Sequence, residues 1–175
     1  MSALFAAIVA LGLSTANAEV LLSMDEALAL AFPGCEIQQR TAYLSYEQRQ
    51  AAAEAAGVPV ESGLVRQYQG ICDGVLAGTA YFDSHPVREL PSTLMVVVSP
   101  EGRIARAELL SFGGPDEHRP PPAFYAQIHG LGLGRELAVR RKALHPVSGA
   151  TLSGRAAVDA ARRVLALHGV IRAVE

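Results

Sequence analysis

Apolar and polar residues along this chain follow two different periods. Between Leu64 and Phe112 they alternate or cluster in short runs: LVRQYQ (64–69), VLAGTAYF (75–82), TLMVVVS (93–99) and IARAELLSF (104–112). Alternation sends every second side chain to the same face, so each run is predicted as a strand. The β-branched run at 93–99 is expected near the middle of the sheet, where both faces are covered. Asp73-Gly74 and Pro100-Glu101-Gly102 are turn signals between runs, so the four strands are expected as an antiparallel meander.

Outside this region the period is helical. Met24 to Phe32 is predicted as a short helix stopped by Pro33-Gly34. Ser45 to Ala56 is predicted as a second, with Ser45 and Gln48 spaced as a capping box and Gly57 followed by Pro59 as the stop. The longest helix is expected from Leu152 to His168, ended by Gly169. Ala157, Val158, Ala161, Val164, Leu165 and His168 fall on one face, and Arg155, Asp159, Arg162 and Arg163 on the other. Residues 113–122 are too rich in Gly and Pro to be regular, and a short helix is expected at 123–129 before a glycine-punctuated linker. The expected fold is therefore α+β: an antiparallel sheet of about four strands packed on a C-terminal helix, with a small N-terminal helical lobe. The expected segments are a signal peptide at 1–18, a helical segment at 19–60 and a folded domain at 61–175.

Composition narrows the partners. Fifteen basic residues against seventeen acidic ones leave a net charge of −2, which argues against nucleic acid. The first eighteen residues are apolar and close on Ala16-Asn17-Ala18, the pattern of a secretory signal. Their apolar stretch is too short to span a bilayer. No basic residue precedes it, the first being Arg40, so an uncleaved N-terminal anchor is the variant of this expectation. The protein is expected in the periplasm or on the outer face of the cytoplasmic membrane. There Cys35 and Cys72 would suit one disulfide, and two separate buried thiols are the alternative.

Most catalytic signatures are missing: no GxGxxG after a strand, no phosphate-binding GxxxxGK[ST], no HExxH and no GxSxG. His85, His118, His129, His145 and His168 lack ligand spacing, so each is expected to be an ordinary surface or half-buried residue. One stretch remains. Ser148-Gly149-Ala150-Thr151 lies where the last helix begins, and a helix N-terminus offers unpaired N–H groups and partial positive charge to a phosphate. Gly149 permits close backbone approach. Thr and Ser are also favoured helix caps, so the residues alone leave both uses open.

Ser-Gly-Ala-Thr, followed by Leu152-Ser153 and an Ala/Val-rich helix, resembles the flavinylation motif of FMN-binding domains. Such domains occur in the flavin subunits of the sodium-translocating NADH:quinone oxidoreductase and of a related ferredoxin-linked complex, and in a regulator of nitrous oxide respiration. Residues 86–98, the Glu101-Gly102-Arg103 turn and the spacing of Phe112, Pro115, Gln127 and Gly130 extend the similarity over about residues 62–169. The resemblance implies FMN held covalently by a phosphoester at Thr151, installed from FAD by a flavin transferase. It makes Ser148, Gly149 and Ala150 the recognition turn, with Leu152 and Ser153 beside it and Phe112, Phe124 and Tyr125 available to the flavin ring. No catalytic residue and no metal are implied.

This chain departs from the family at several places. His145 stands where an Asp usually begins the motif, and Gly114 precedes Pro115 where Glu is common. The expected function is an exported electron-transfer flavoprotein serving membrane-bound redox partner proteins, rather than a substrate-turning enzyme. The alternative is a degenerate domain without flavin, acting as a structural or interaction module of a membrane-associated redox complex. A reductase with non-covalent FMN is a third, for which no acid–base residue stands out.

Overall fold

The computed structural model describes residues 18–134, 137 and 150–173 of the protein. Its centre is a six-stranded sheet, antiparallel throughout: β1 (Glu19–Val20), β2 (Glu36–Tyr43), β3 (Leu64–Cys72), β4 (Val75–Val87), β5 (Leu90–Val98) and β6 (Ile104–Phe112). The spatial order is β1-β6-β5-β4-β3-β2, which puts the β-branched run of β5 in the interior. Helix α1 (Met24–Ala31) covers one face. Helices α2 (Tyr46–Ala56), α3 (Pro122–Ala126) and α4 (Thr151–Arg172) cover the other.

The expected count of about four strands is corrected to six. β2 escapes the hydrophobic pattern because it is an edge strand that buries little: EIQQRTAY has no buried residue. β1 is a two-residue addition at the opposite edge. Residues 19–60 are thus not a helical lobe set apart from the sheet. They supply both of its edges, the helix on one face and α2 on the other.

Alternation along β5 divides the core in two. Leu94, Val96 and Val98 point to α4 and meet Val158, Val164 and Leu165; Met95 and Val97 point to α1 and meet Leu28 and Phe32. Phe32 fills a gap made by sequence. Gly70 and Gly78 are register partners on β3 and β4, and a Cβ on Gly70 would come within 2.3 Å of the Phe32 ring. Only glycine at position 70 lets the ring lie on the strand.

Local rules account for the turns. Asp73 (φ 52°) and Gly74 (φ 78°) both take the left-handed conformation, as a two-residue type I′ hairpin demands. Ser23 with Glu26 and Ser45 with Gln48 form complete capping boxes for α1 and α2. Gly57 closes α2 in the left-handed conformation. β4 runs past the expected end at Phe82 through Pro86, and turns at Arg88 (φ 58°) and Glu89 into β5. Helix α4 likewise passes Gly169, because Ile171 is buried and keeps the last turn on the core.

Cys35 and Cys72 form a disulfide that ties the start of β2 to the end of β3, which settles the open alternative between bridge and separate thiols. Beyond it, β3 and β4 part company. Their ladder ends at Tyr68 opposite Ala80; residues 64–67 keep only β2 as partner and residues 81–87 only β5.

Candidate functional site

Thr151 is the first residue of α4 and is exposed. The residue before it, Ala150, is the N-cap, and no side chain caps the helix. The first intrahelical bond runs from the Gly154 amide to the Ala150 carbonyl at 2.8 Å. Thr151 therefore does not occupy the cap position, and among the described residues no side chain caps the first-turn amides beside it. Leu152 is 47 % exposed, while Ala150 and Ser153 are buried. Ser148, Gly149 and His145 lie outside the described residues.

Of the three aromatic residues expected near a flavin ring, Phe124 is brought to this turn. A Cβ on Gly154 would sit 2.8 Å from Phe124 Cζ, so the ring packs against the first turn of α4. Tyr125 stacks edge-on to Phe124 at 5.5 Å. Phe112 ends β6 over Gly114 and does not join the cluster that holds the other two. All three are 3–4 % exposed, and burial pushes the Tyr125 hydroxyl pKa up. They form a wall behind the turn rather than an open surface.

These observations bear unequally on FMN. The phosphate end fits: an exposed threonine, first-turn amides with no side-chain cap among the described residues, and the positive end of a 22-residue helix. At the ring end Phe112, Phe124 and Tyr125 are buried and present little surface.

A second polar group lies further along α4. Successive same-face positions of β4 carry Tyr81, Asp83 and His85, and each meets α4 or a neighbour. Arg163 grips Asp83 with two bonds, Nε to Oδ2 at 2.7 Å and Nη2 to Oδ1 at 3.1 Å. His85 Nδ1 is 2.9 Å from Asp83 Oδ1. Burial alone would raise the Asp83 pKa, but the hydrogen bonds from His85 and Arg163, with the guanidinium charge, hold it below the usual carboxylate range. Asp83 is therefore ionised, and His85 donates to it through Nδ1. Tyr81 Oη and His168 Nδ1 are 2.7 Å apart. His168 Nε2 is buried without a partner, and burial, aided by Arg172, brings its pKa down to about 4.

Sequence reasoning missed this group. His85 and His168 are buried, not surface or half-buried as expected. The signal was the alternation Tyr81, Asp83, His85, hidden because the strand was ended at Phe82. His118, expected as unremarkable, has its Nδ1 buried without a partner beside the 3₁₀ turn at 116–118.

No protein-family model, no curated protein and no solved structure matches the chain. The functional reading therefore rests on the residues and their geometry.

Proposed function

We propose that this protein is an exported electron-transfer flavoprotein carrying FMN through a phosphoester at Thr151. One observation carries the reading: Thr151 is exposed at the start of a long helix whose N-terminus has no side-chain cap among the described residues. A threonine that served only as a cap would occupy the position before the helix and turn its oxygen onto the amides. Here the oxygen is free of that task. Thr151 Oγ1 would be the ester oxygen, and the first-turn amides would balance the phosphate charge. Leu152 would offer an apolar flank, with the recognition turn completed by Ser148, Gly149 and Ala150. Bound flavin supplies electron transfer, and the chain supplies tether and orientation.

The Cys35–Cys72 disulfide supports an oxidising compartment, hence export to the periplasm or to the outer face of the membrane. No helix among the described residues is long and apolar enough to cross a membrane. On this reading the partners are a flavin transferase for maturation and membrane-bound redox proteins, with no role for nucleic acid.

Co-expression with a flavin transferase, followed by a denaturing gel viewed under ultraviolet light, tests the proposal. The expected result is a fluorescent band that Thr151→Ala removes and Ser153→Ala retains. Exported, disulfide-bonded protein with no band would overturn it. The second reading, a domain without flavin that serves as an interaction module, is favoured by the burial of Phe112, Phe124 and Tyr125, and absence of the band is its expected outcome.

A further inference from the structure

The parting of β3 and β4 opens a cavity of about 630 Å³ between them. That volume lies within the range of small-molecule sites, roughly 300–1,000 Å³. Its walls are largely apolar, with Val60, Val65, Val164 and Leu167 among the side chains that line it. Asp83, His85 and Arg163 line it as well. Two large apolar residues on its lining, Met24 and Leu64, are 42 % and 43 % exposed, and Tyr43, the register partner of Leu64, is 78 % exposed. An exposed threshold, where Met24 and Leu64 stand with Glu61, Ser62 and Arg66, thus leads to a largely apolar chamber whose most buried charged groups are Asp83 and Arg163, beside His85.

We propose that this cavity binds a long-chain carboxylic acid, its chain along the Val60–Val65–Val164–Leu167 wall and its carboxylate on His85 Nε2. The site is separate from Thr151. Arg163 is twelve residues along α4 from Thr151, about 18 Å by helical rise.

Charge selects the head group. Asp83 and Arg163 already cancel, and both Asp83 oxygens are taken by Arg163 and His85. His85 turns Nδ1 to Asp83, which leaves Nε2 as the one nitrogen of the ring for an occupant. A carboxylic head group brings its own proton to Nε2, so the imidazole would bridge Asp83 and the ligand, and the cluster they form with Arg163 would stay neutral as a whole. An ammonium would instead place a second cation beside Arg163: Asp83 is already engaged, and Glu61, the other carboxylate of the lining, is exposed, where pairing is worth little. An alcohol would make only a neutral hydrogen bond, about half as strong as a charge-assisted one. Chemistry on a bound ligand is not implied: of the β4 and β5 residues with hydroxyls that line the cavity, Ser84 and Thr93 are hydrogen-bonded to each other at 3.0 Å and Tyr81 to His168 at 2.7 Å.

Titration calorimetry of the delipidated protein with decanoate, decan-1-ol and decylammonium tests the assignment. Decanoate is expected to bind about tenfold more tightly than either of the others, one tenfold step being about 1.4 kcal/mol. His85→Gln is expected to bring decanoate down to the level of decan-1-ol while leaving decan-1-ol within about twofold. Leu64→Asp, on the exposed threshold, is expected to weaken the uncharged decan-1-ol and decanoate alike without disturbing the core. Failure of decanoate to saturate below about 1 mM would overturn the proposal. So would equal binding of the three probes, or retention of the decanoate preference in His85→Gln. Binding untouched by Leu64→Asp would place the ligand elsewhere and overturn it too.

Discussion

The two faces of the sheet are stabilised by different physics. The α1 face is a plain hydrophobic contact: Ala27, Leu28 and Phe32 lie on Tyr68, Ala80, Met95, Val97 and Leu110, and the nearby disulfide anchors the strands below. Its charged pair, Arg106 with Glu108, stays about a third exposed. The α4 face has a larger apolar core, yet it also buries His85 and His168 and leaves the Asp83 side chain only 9 % exposed. Buried polar groups weaken a core unless partnered, so their concentration on one face marks where the molecule does more than fold. The Thr151 turn belongs to that face, and the cavity, which also reaches Met24 of α1 and Tyr68 and Leu110 of the other core, carries its charged cluster there.

This contrast breaks down if the α1 face proves sensitive to pH. Replacing both Cys35 and Cys72 by Ser releases a loop with a sequence separation of 37 residues, which is expected to lower stability by about 4 kcal/mol. Phe32→Ala leaves the cleft over Gly70 and Gly78 empty and is expected to lower it by about 3–4 kcal/mol. Urea unfolding at pH 5 and pH 8 should return the same loss at both for each variant. A loss that changes with pH by more than about 1 kcal/mol would erase the distinction.

The α4 face should behave oppositely. His168 has a pKa near 4 in the fold against about 6.5 in the unfolded chain, so between these values the unfolded state binds the extra proton. Its neutral burial is fully favourable above pH 6.5 and is lost as pH falls toward 4, by up to about 3 kcal/mol. In His168→Gln that share of the acid destabilisation should vanish, whatever the variant's stability at pH 7. Parallel stability–pH curves for the two proteins would show that His168 contributes nothing. Asp83, held below the usual carboxylate range, contributes in a lower window: its stabilisation is present above about pH 3.9 and fades as pH drops further.

What the sequence made legible follows the same division. The hairpin at Asp73-Gly74, the Ser45–Gln48 box, the limits of β6 and the buried stripe of α4 all rest on local rules, and the fold keeps them. β2 was illegible because an edge strand has little to bury, and periodicity reads burial. The continuation of β4 through Pro86 was illegible because proline argues against a strand, whereas here it pairs opposite Pro91 near the hairpin end. Missing that extension hid Asp83 and His85. Their partner Arg163 was equally hidden: it lies on the polar side of α4 by spacing, and only the tertiary fold brings it to Asp83. The candidate residue Thr151 was legible, but the sequence left its hydroxyl open to a capping role that the fold gives to no side chain.

That last difference yields the smallest effect and the finest test of the comparison. Helices α1 and α2 begin with serine caps whose oxygens accept from the third helical residue, Glu26 in one and Gln48 in the other. Helix α4, twice as long as α2 (22 residues against 11), begins at Ala150 with none. A long helix packed along its length tolerates an uncapped start, since tertiary burial rather than the terminus stabilises it. Adding a cap should therefore help stability and harm the proposed site. Ala150→Ser is expected to raise stability by about 1 kcal/mol, and Ser45→Ala to lower it by a similar amount. If the first-turn amides serve a phosphate, the introduced serine competes for them, and the fluorescent band from co-expression with the transferase should weaken in Ala150→Ser while Ser45→Ala leaves it intact. Added stability with an undiminished band would mean that the amides are not what Thr151 offers its cofactor. The hydroxyl alone would then carry the attachment.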